Sequence, residues 1–317
     1  MFRYIVKRVL LIIPVIIGIS ILIFSIMQLA PGDPVKLMLG ERATEEAQTQ
    51  LRQELGLNKP KVVQYFNYMT KVVTKGDFGI SYTSKRPVID EIKVRFPVTV
   101  RLSVYGILIA ILVGIPVGAI SAIKPYSPFD KAATVLTLIG TSIPPFWLGL
   151  MMILIFSLGL RMFPSNGIDG WISYVLPSIT LSSVTITYLV RVTRSSLLDM
   201  LREDFVRTAR SKGISERRVI VKHAFGNALI PVLTTAGLQF GYMLGGSVIT
   251  ETVFAIPGLG RLLVTAIRNS DINTAMGCCL LLATSFSLVN LAVDLLYALL
   301  DPRIKAQYSS RSKRVSV

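Results

Sequence analysis

The chain has 317 residues, of which 52% are hydrophobic and only 16% charged, with a formal net charge of +16. Soluble domains carry about 25% charged residues, so this composition excludes an ordinary soluble fold and marks an integral membrane protein. The positive charge does not indicate nucleic-acid binding, because Lys and Arg stand at the ends of apolar runs rather than on one soluble face with a reading motif.

A bilayer core of about 30 Å needs about 20 apolar residues in a helix. The first such run, Val9 to Ala30, follows the basic head MFRYIVKR and is too long for a signal-peptide core, so it reads as an uncleaved anchor. Residues 31–97 form an extracytoplasmic stretch in which LRQELGLNKPKVVQYFNYMTKVV has helical apolar spacing and RPVIDEIKVRF reads as an amphipathic lead-in to the next span. The second span is Leu102 to Ile123, and the third runs from Ala132 to about Leu158, broken by Pro144 and Pro145.

The fourth span, Trp171 to Val190, holds seven Ser or Thr residues between Ile172 and Val190. Small hydroxyls suit close packing against other helices or a wet cavity better than lipid, which places this helix inside the bundle. Ser182, Ser183 and Thr185, with Gln239 on the next span, are candidates for a translocation path; helix-to-helix bonding is the alternative reading of the same hydroxyls. The fifth span, Ala228 to Ile249, has Gly237, Gly241 and Gly245 at four-residue spacing, as the second has Gly114 and Gly118, a pattern that lets backbones approach. The sixth span is Met276 to Leu300.

Counting basic residues sets the orientation. With a cytoplasmic N-terminus, nineteen Lys and Arg fall on inner segments, nine of them between Arg191 and Lys222. The short outer segments then hold only Arg161, Arg261 and Arg268. Both termini are expected inside.

Catalytic chemistry is missing from the motifs. No G-x-x-x-x-G-K-[ST], H-E-x-x-H or G-x-S-x-G occurs, so no catalytic residue is assigned. Cys278 and Cys279 are adjacent and His223 is the only histidine, which leaves neither a disulfide framework nor a metal ligand set. Arg101, Glu251 and Asp294 are too few for a proton or ion relay and read as structural or interfacial groups.

Between the fourth and fifth spans lies REDFVRTARSKGISERRVIVKHAFGNALIP, residues 202–231. It reads as a helix up to Lys212, a bend at Gly213, and a second short helix from Glu216 to Phe225 with Ser215 as N-cap. A solvated loop accounts for the arginines but not for the interleaved Phe205, Val206, Ile214, Val219 and Ile220, which need a partner.

This block resembles the cytoplasmic EAA loop of binding-protein-dependent ABC importer permeases, in the form found in the oligopeptide, dipeptide and nickel permease family. The likeness extends in family order through APGDP (30–34), GDFGISY (76–82), RTARSKG (207–213), HAFGNALIP (223–231), ETVFAIPGLG (251–260) and DLLYALLDPRI (294–304). Where the general motif has Glu-Ala-Ala, this chain has Arg207, Thr208 and Ala209.

The resemblance implies an all-α, polytopic fold with six transmembrane helices, that of a type I ABC importer permease, with a small helical extracytoplasmic segment and a cytoplasmic coupling helix pair. The expected organisation is residues 1–30 as head and first span, 31–97 outside, 98–304 as permease core with a coupling loop at 191–227, and a tail at 305–317. Phe205, Val206, Arg207, Thr208, Ala209, Gly213, Ile214 and Ser215 are the implied contacts to an ATPase.

The implied partners are a second homologous permease, two ATPase subunits carrying ATP and Mg, an extracytoplasmic solute-binding protein and membrane lipid; this chain itself is expected to bind no cofactor. The implied location is the plasma (inner) membrane of a prokaryote. The implied solute is an oligopeptide or dipeptide, with glutathione or a nickel chelate as alternatives and an ATPase-independent channel or secondary transporter as a further rival.

Overall fold

The structure, a computed structural model, describes residues 2–29, 33–40 and 42–300. The expected tail at 305–317 and parts of the motifs at 30–34 and 294–304 lie outside the described residues. Apart from one isolated bridge between Ile80 and Pro87, the regular structure described is helical.

Helix α1 (Phe2–Leu29) is followed by three short helices, α2 (Pro34–Leu39), α3 (Glu45–Glu54) and α4 (Lys61–Lys75). Next comes α5 (Val88–Ile123), 36 residues long. The expected lead-in and the second span are therefore one continuous helix of about 54 Å, longer than a bilayer core is thick.

The third span departs from a straight rod. Helices α6 (Pro128–Ser142) and α7 (Pro145–Met152), the latter continued by a π-helical stretch at Ile153–Gly159, meet at an angle of 100°. Ile143 and Pro144 each precede a proline and adopt extended ψ values of 121° and 134°, which stops the helix where two successive residues lack an amide donor.

Helix α8 (Val175–Arg202) runs three turns past the expected end of the fourth span. After α9 (Asp204–Ser211), α10 (Glu216–Arg218) leads through a π-helical stretch at Val219–Phe225 straight into α11 (Gly226–Val253). The described residues end with α12 (Leu259–Arg268), a short helix not anticipated from the sequence, and α13 (Ile272–Leu300). Among the described residues, five helices are long and apolar enough to cross a membrane, six if the bent pair counts as one span.

The most extensive pairing is α5 against α8. It depends on Gly114 and Gly118: a Cβ at Gly118 would lie 2.6 Å from the Val190 carbonyl oxygen, and one at Gly114 would lie 2.7 Å from the Leu189 Cβ. The sequence spacing thus marks a real backbone contact. In α11 the corresponding series is used twice, with Gly237 against Val293 and Gly241 against Phe286 of α13, while Gly245 faces open space.

Two buried carboxylates fasten the end of the bundle opposite the 202–231 block. Glu251 accepts hydrogen bonds from the Thr99 hydroxyl (2.7 Å), the Ser247 hydroxyl (2.9 Å) and the Arg261 amide (2.9 Å). Thr99 in turn accepts from the Leu259 amide at 2.8 Å, so α5 and α11 together satisfy the first amides of α12. Asp271 accepts from the hydroxyls of Ser81 (2.5 Å) and Thr274 (2.9 Å) and from the Thr274 amide, and so ties the 76–83 loop to the start of α13. Asp294, near the other end of α13, pairs with Arg8 of α1 at 2.7 Å. These contacts give structural partners to two of the three ionisable residues that stood out in the sequence.

Candidate functional site

The 202–231 block folds as a knob whose details differ from the expected helix pair. The chain breaks first at Glu203 (φ −69°, ψ 150°), so α9 is a separate helix from α8. At its end Gly213 takes φ +74°. The Gly213 amide donates to the Arg210 carbonyl (2.9 Å) and the Ile214 amide to the Ala209 carbonyl (3.3 Å), the paired bonds of a Schellman turn, in which glycine avoids the Cβ penalty of the left-handed region.

Arg210 then clasps Glu216 across the bend through two hydrogen bonds of 3.1 and 2.7 Å. Pairing with Glu216 holds the Arg210 pKa above its ordinary value. Ser215 occupies the expected N-cap position, but its side chain makes no capping bond. The second helix does not end at Phe225 either; it merges with α11.

Three of the five interleaved apolar residues, Val206, Ile214 and Val219, find their partner within the chain. Val206, Ala209, Val219 and Ala224 form one buried cluster with Leu197 of α8, Ala122 of α5 and Ala228 of α11, and Ile214 packs on it half-buried. Val206 and Ala209 therefore point inward rather than onto the outer face of the knob, where direct contacts to an ATPase were expected of them. Phe205, Arg207, Thr208, Gly213 and Ser215 are exposed on the rim. Val221 of the same block is exposed as well, although in the sequence it is indistinguishable from its buried neighbour Val219.

Beside the knob, Arg194 of α8 grips the buried Asp130 of α6 with bonds of 2.7 and 2.8 Å. Asp130 also accepts from the Tyr126 amide at 2.8 Å, so the 124–130 turn is fixed to α8. Neither residue was singled out from the sequence, where 64 positions separate them.

A cavity of about 540 Å³ lies between the start of α7 and the facing sides of α8 and α11. Of the four expected pathway residues, Thr185 and Gln239 line it. Ser182 is fully buried and donates to the Ile179 carbonyl at 2.9 Å, while Ser183 donates to the Thr180 carbonyl at 2.8 Å. Those two hydroxyls bond within α8 itself, neither onto the cavity nor from helix to helix.

The rest of the wall includes Thr235, Thr250, Leu238 and two exposed tyrosines, Tyr188 and Tyr242. The tyrosines were missed, although 181, 184, 185 and 188 on α8 and 235, 238, 239, 242, 246 and 249 on α11 follow the i, i+3, i+4 rhythm of single helix faces. None of the residues lining this cavity is charged.

The family described as "Binding-protein-dependent transport system inner membrane component" matches residues 114–306, and the N-terminal family described as "Binding-prot-dependent transport system membrane comp, N-term" matches residues 1–103. The chain belongs to the permeases of binding-protein-dependent ABC importers. Within them it falls in the peptide/nickel group. It is 43% identical over 305 residues to the glutathione transport system permease protein GsiC of Salmonella choleraesuis, covering 96% of this chain and 99% of that protein. The GsiC of Escherichia coli is 42% identical over the same length.

Among solved structures, the inward-facing MetNI methionine ABC transporter superposes with a TM-score of 0.56 at 18% identity, covering 67% of this chain and 97% of that one. At that identity the likeness establishes the fold alone. The permease is thus an integral inner-membrane, all-helical subunit of an ABC importer.

Proposed function

We propose that this permease forms, with a second related permease, the translocation path for a short peptide delivered by an extracytoplasmic solute-binding protein and driven by two ATPase subunits that hold ATP and Mg. The observation that carries this reading is the union of knob and groove on the same two helices. The knob's core is built on Leu197 of α8 and Ala228 of α11, and the cavity is lined by the same helices at Thr185 and Gln239. A push on the knob rim therefore moves the cavity walls without passing through a flexible joint.

The cavity chemistry supports a peptide-class solute. Its hydroxyls, the Gln239 amide and the two tyrosines offer replaceable hydrogen bonds and apolar contact to a backbone, and the uncharged wall neither traps nor repels ionised termini. Among peptides, glutathione is favoured by the relatives that are 42 and 43% identical over nearly the whole chain.

The test is uptake by proteoliposomes containing both permeases and both ATPases, with binding protein outside and ATP inside. Labelled glutathione should enter, in competition with di- and tripeptides; a nickel chelate entering instead would replace the solute reading. Solute flux without ATPases or ATP would point to a channel.

The basic-residue count supports an orientation with both termini and the knob in the cytoplasm. Reporter fusions at Lys61 and Lys212 should then report opposite sides of the membrane, and a common side would overturn it.

A further inference from the structure

Helix α4 has two apolar edges, and only one of them is used inside the protein. At about 100° per residue, Tyr65, Tyr68 and Val72 share one edge; Val62, Phe66, Met69 and Val73 share the next; and Gln64, Asn67, Lys71, Thr74 and Lys75 occupy the opposite side. The first edge is docked. The Tyr65 hydroxyl hydrogen-bonds the Ser20 hydroxyl of α1 at 2.7 Å, and its ring meets Phe24 edge-on at 5.5 Å. The Tyr68 hydroxyl on the same edge is buried. The second edge stands open, with Val62 66%, Phe66 61% and Val73 77% exposed.

The docking partners fix the depth of this open edge. Ser20 lies nine residues before the end of α1 at Leu29, about 13 Å along the helix. Half of a bilayer's hydrocarbon core is about 15 Å. The contact on α1 thus holds α4 at a level within the apolar, membrane-spanning run of α1. A second contact fixes its C-terminal end: Gly76 closes the helix at φ +62°, and the loop behind it is bonded to Asp271 through Ser81. Beside α4, α1 presents exposed Ile17, Ile21, Leu22 and Ile26, an apolar surface that Val62, Phe66 and Val73 extend.

We propose that α4 is an interfacial helix immersed in the membrane leaflet opposite the knob, with the edge of Val62, Phe66 and Val73 among lipid acyl chains and Lys71 and Lys75 at the headgroups. An apolar arc with a basic, polar opposite side is what such helices present to a bilayer, and tyrosines are the residues that settle at its boundary. The segment between the first two long helices is then in part a membrane-seated collar beside α1 and α13 rather than wholly a cap in water. This inference rests on the membrane-spanning reading of α1 and α13 and not on the solute or the orientation.

The experiment uses the assembled importer in vesicles of phosphatidylethanolamine and phosphatidylglycerol, with Cys278→Ala and Cys279→Ala as background. Nitroxide labels are placed singly at Val62→Cys, Phe66→Cys and Val73→Cys, and at Asn67→Cys and Lys71→Cys. Collision with dissolved oxygen, which concentrates in acyl chains, is compared with collision with a water-soluble nickel chelate. The oxygen-to-nickel ratio should be at least several-fold higher at the first three sites than at the last two.

Equal, water-like ratios at all five sites would overturn the proposal. Low collision with both reagents at 62, 66 and 73 would overturn it in favour of a protein cover such as the second permease. Nickel access that disappears only when binding protein is added would overturn it in favour of a docking face for that protein. All three labelled positions are exposed and independent, so the outcome does not depend on one variant's folding.

Discussion

Glu251 shows how a charged residue near the end of an apolar span can be structural. Its two oxygens accept three hydrogen bonds from three different stretches of chain, and no water is needed to satisfy them. Removing the carboxylate leaves buried donors unpaired, at about 1–3 kcal/mol each. Glu251→Ala should therefore lower the thermal stability of the purified complex clearly, and Glu251→Gln, which keeps an acceptor oxygen, should lower it less. Equal melting midpoints for the parent and Glu251→Ala would show that the three bonds contribute nothing.

The sequence marked Glu251 as structural because a lone acid cannot make a relay, but its partner Thr99 stands 152 residues away and carries no local signature. The same holds for the pair Asp130 and Arg194. Legibility at this scale ends where the second member of a contact is set by tertiary packing.

At the scale of elements, apolar length and proline placement made the helices legible, and small-residue spacing marked the contact of α5 with α8. The 100° bend between α6 and α7 exceeded what a Pro-Pro pair announces, and α12 was missed because ten residues between two spans look like a loop. The hydroxyl-rich α8 was legible as a buried helix but not as a helix with two kinds of face. Its Ser182 and Leu189 pack inward, whereas Leu181, Val184, Thr185 and Tyr188 line the groove.

This division yields a labelling pattern. Single cysteines along 178–190, introduced after replacing Cys278 and Cys279, should react with a membrane-impermeant thiol reagent at 181, 184, 185 and 188, and remain protected at 182 and 189. The reactive set should change with ATP and solute. Uniform protection in every state would assign α8 to packing alone.

For the molecule as a whole, the question is how a push at one end becomes movement along the bundle. The knob's residues alternate between a rim that faces out and a core that fuses with α5, α8 and α11, and the two sets have separable roles. Leu197 is fully buried at the junction of knob and bundle, whereas Phe205 is 40% exposed on the rim. Truncating a buried leucine to alanine costs about 2–5 kcal/mol, much of it from the cavity left behind. Leu197→Ala should therefore loosen the joint: ATPase subunits still co-purify and hydrolyse ATP, but solute uptake per ATP falls several-fold. Phe205→Ala leaves the joint intact and removes an exposed apolar group from the proposed docking surface, so it should reduce the amount of ATPase retained on the complex. Uptake per ATP at the parental level in Leu197→Ala, with ATPase retention unchanged in Phe205→Ala, would mean that neither the joint nor this rim transmits the stroke. The opposite assignment, loss of ATPase binding in Leu197→Ala alone, would place the docking surface on the knob's interior and require it to open on assembly.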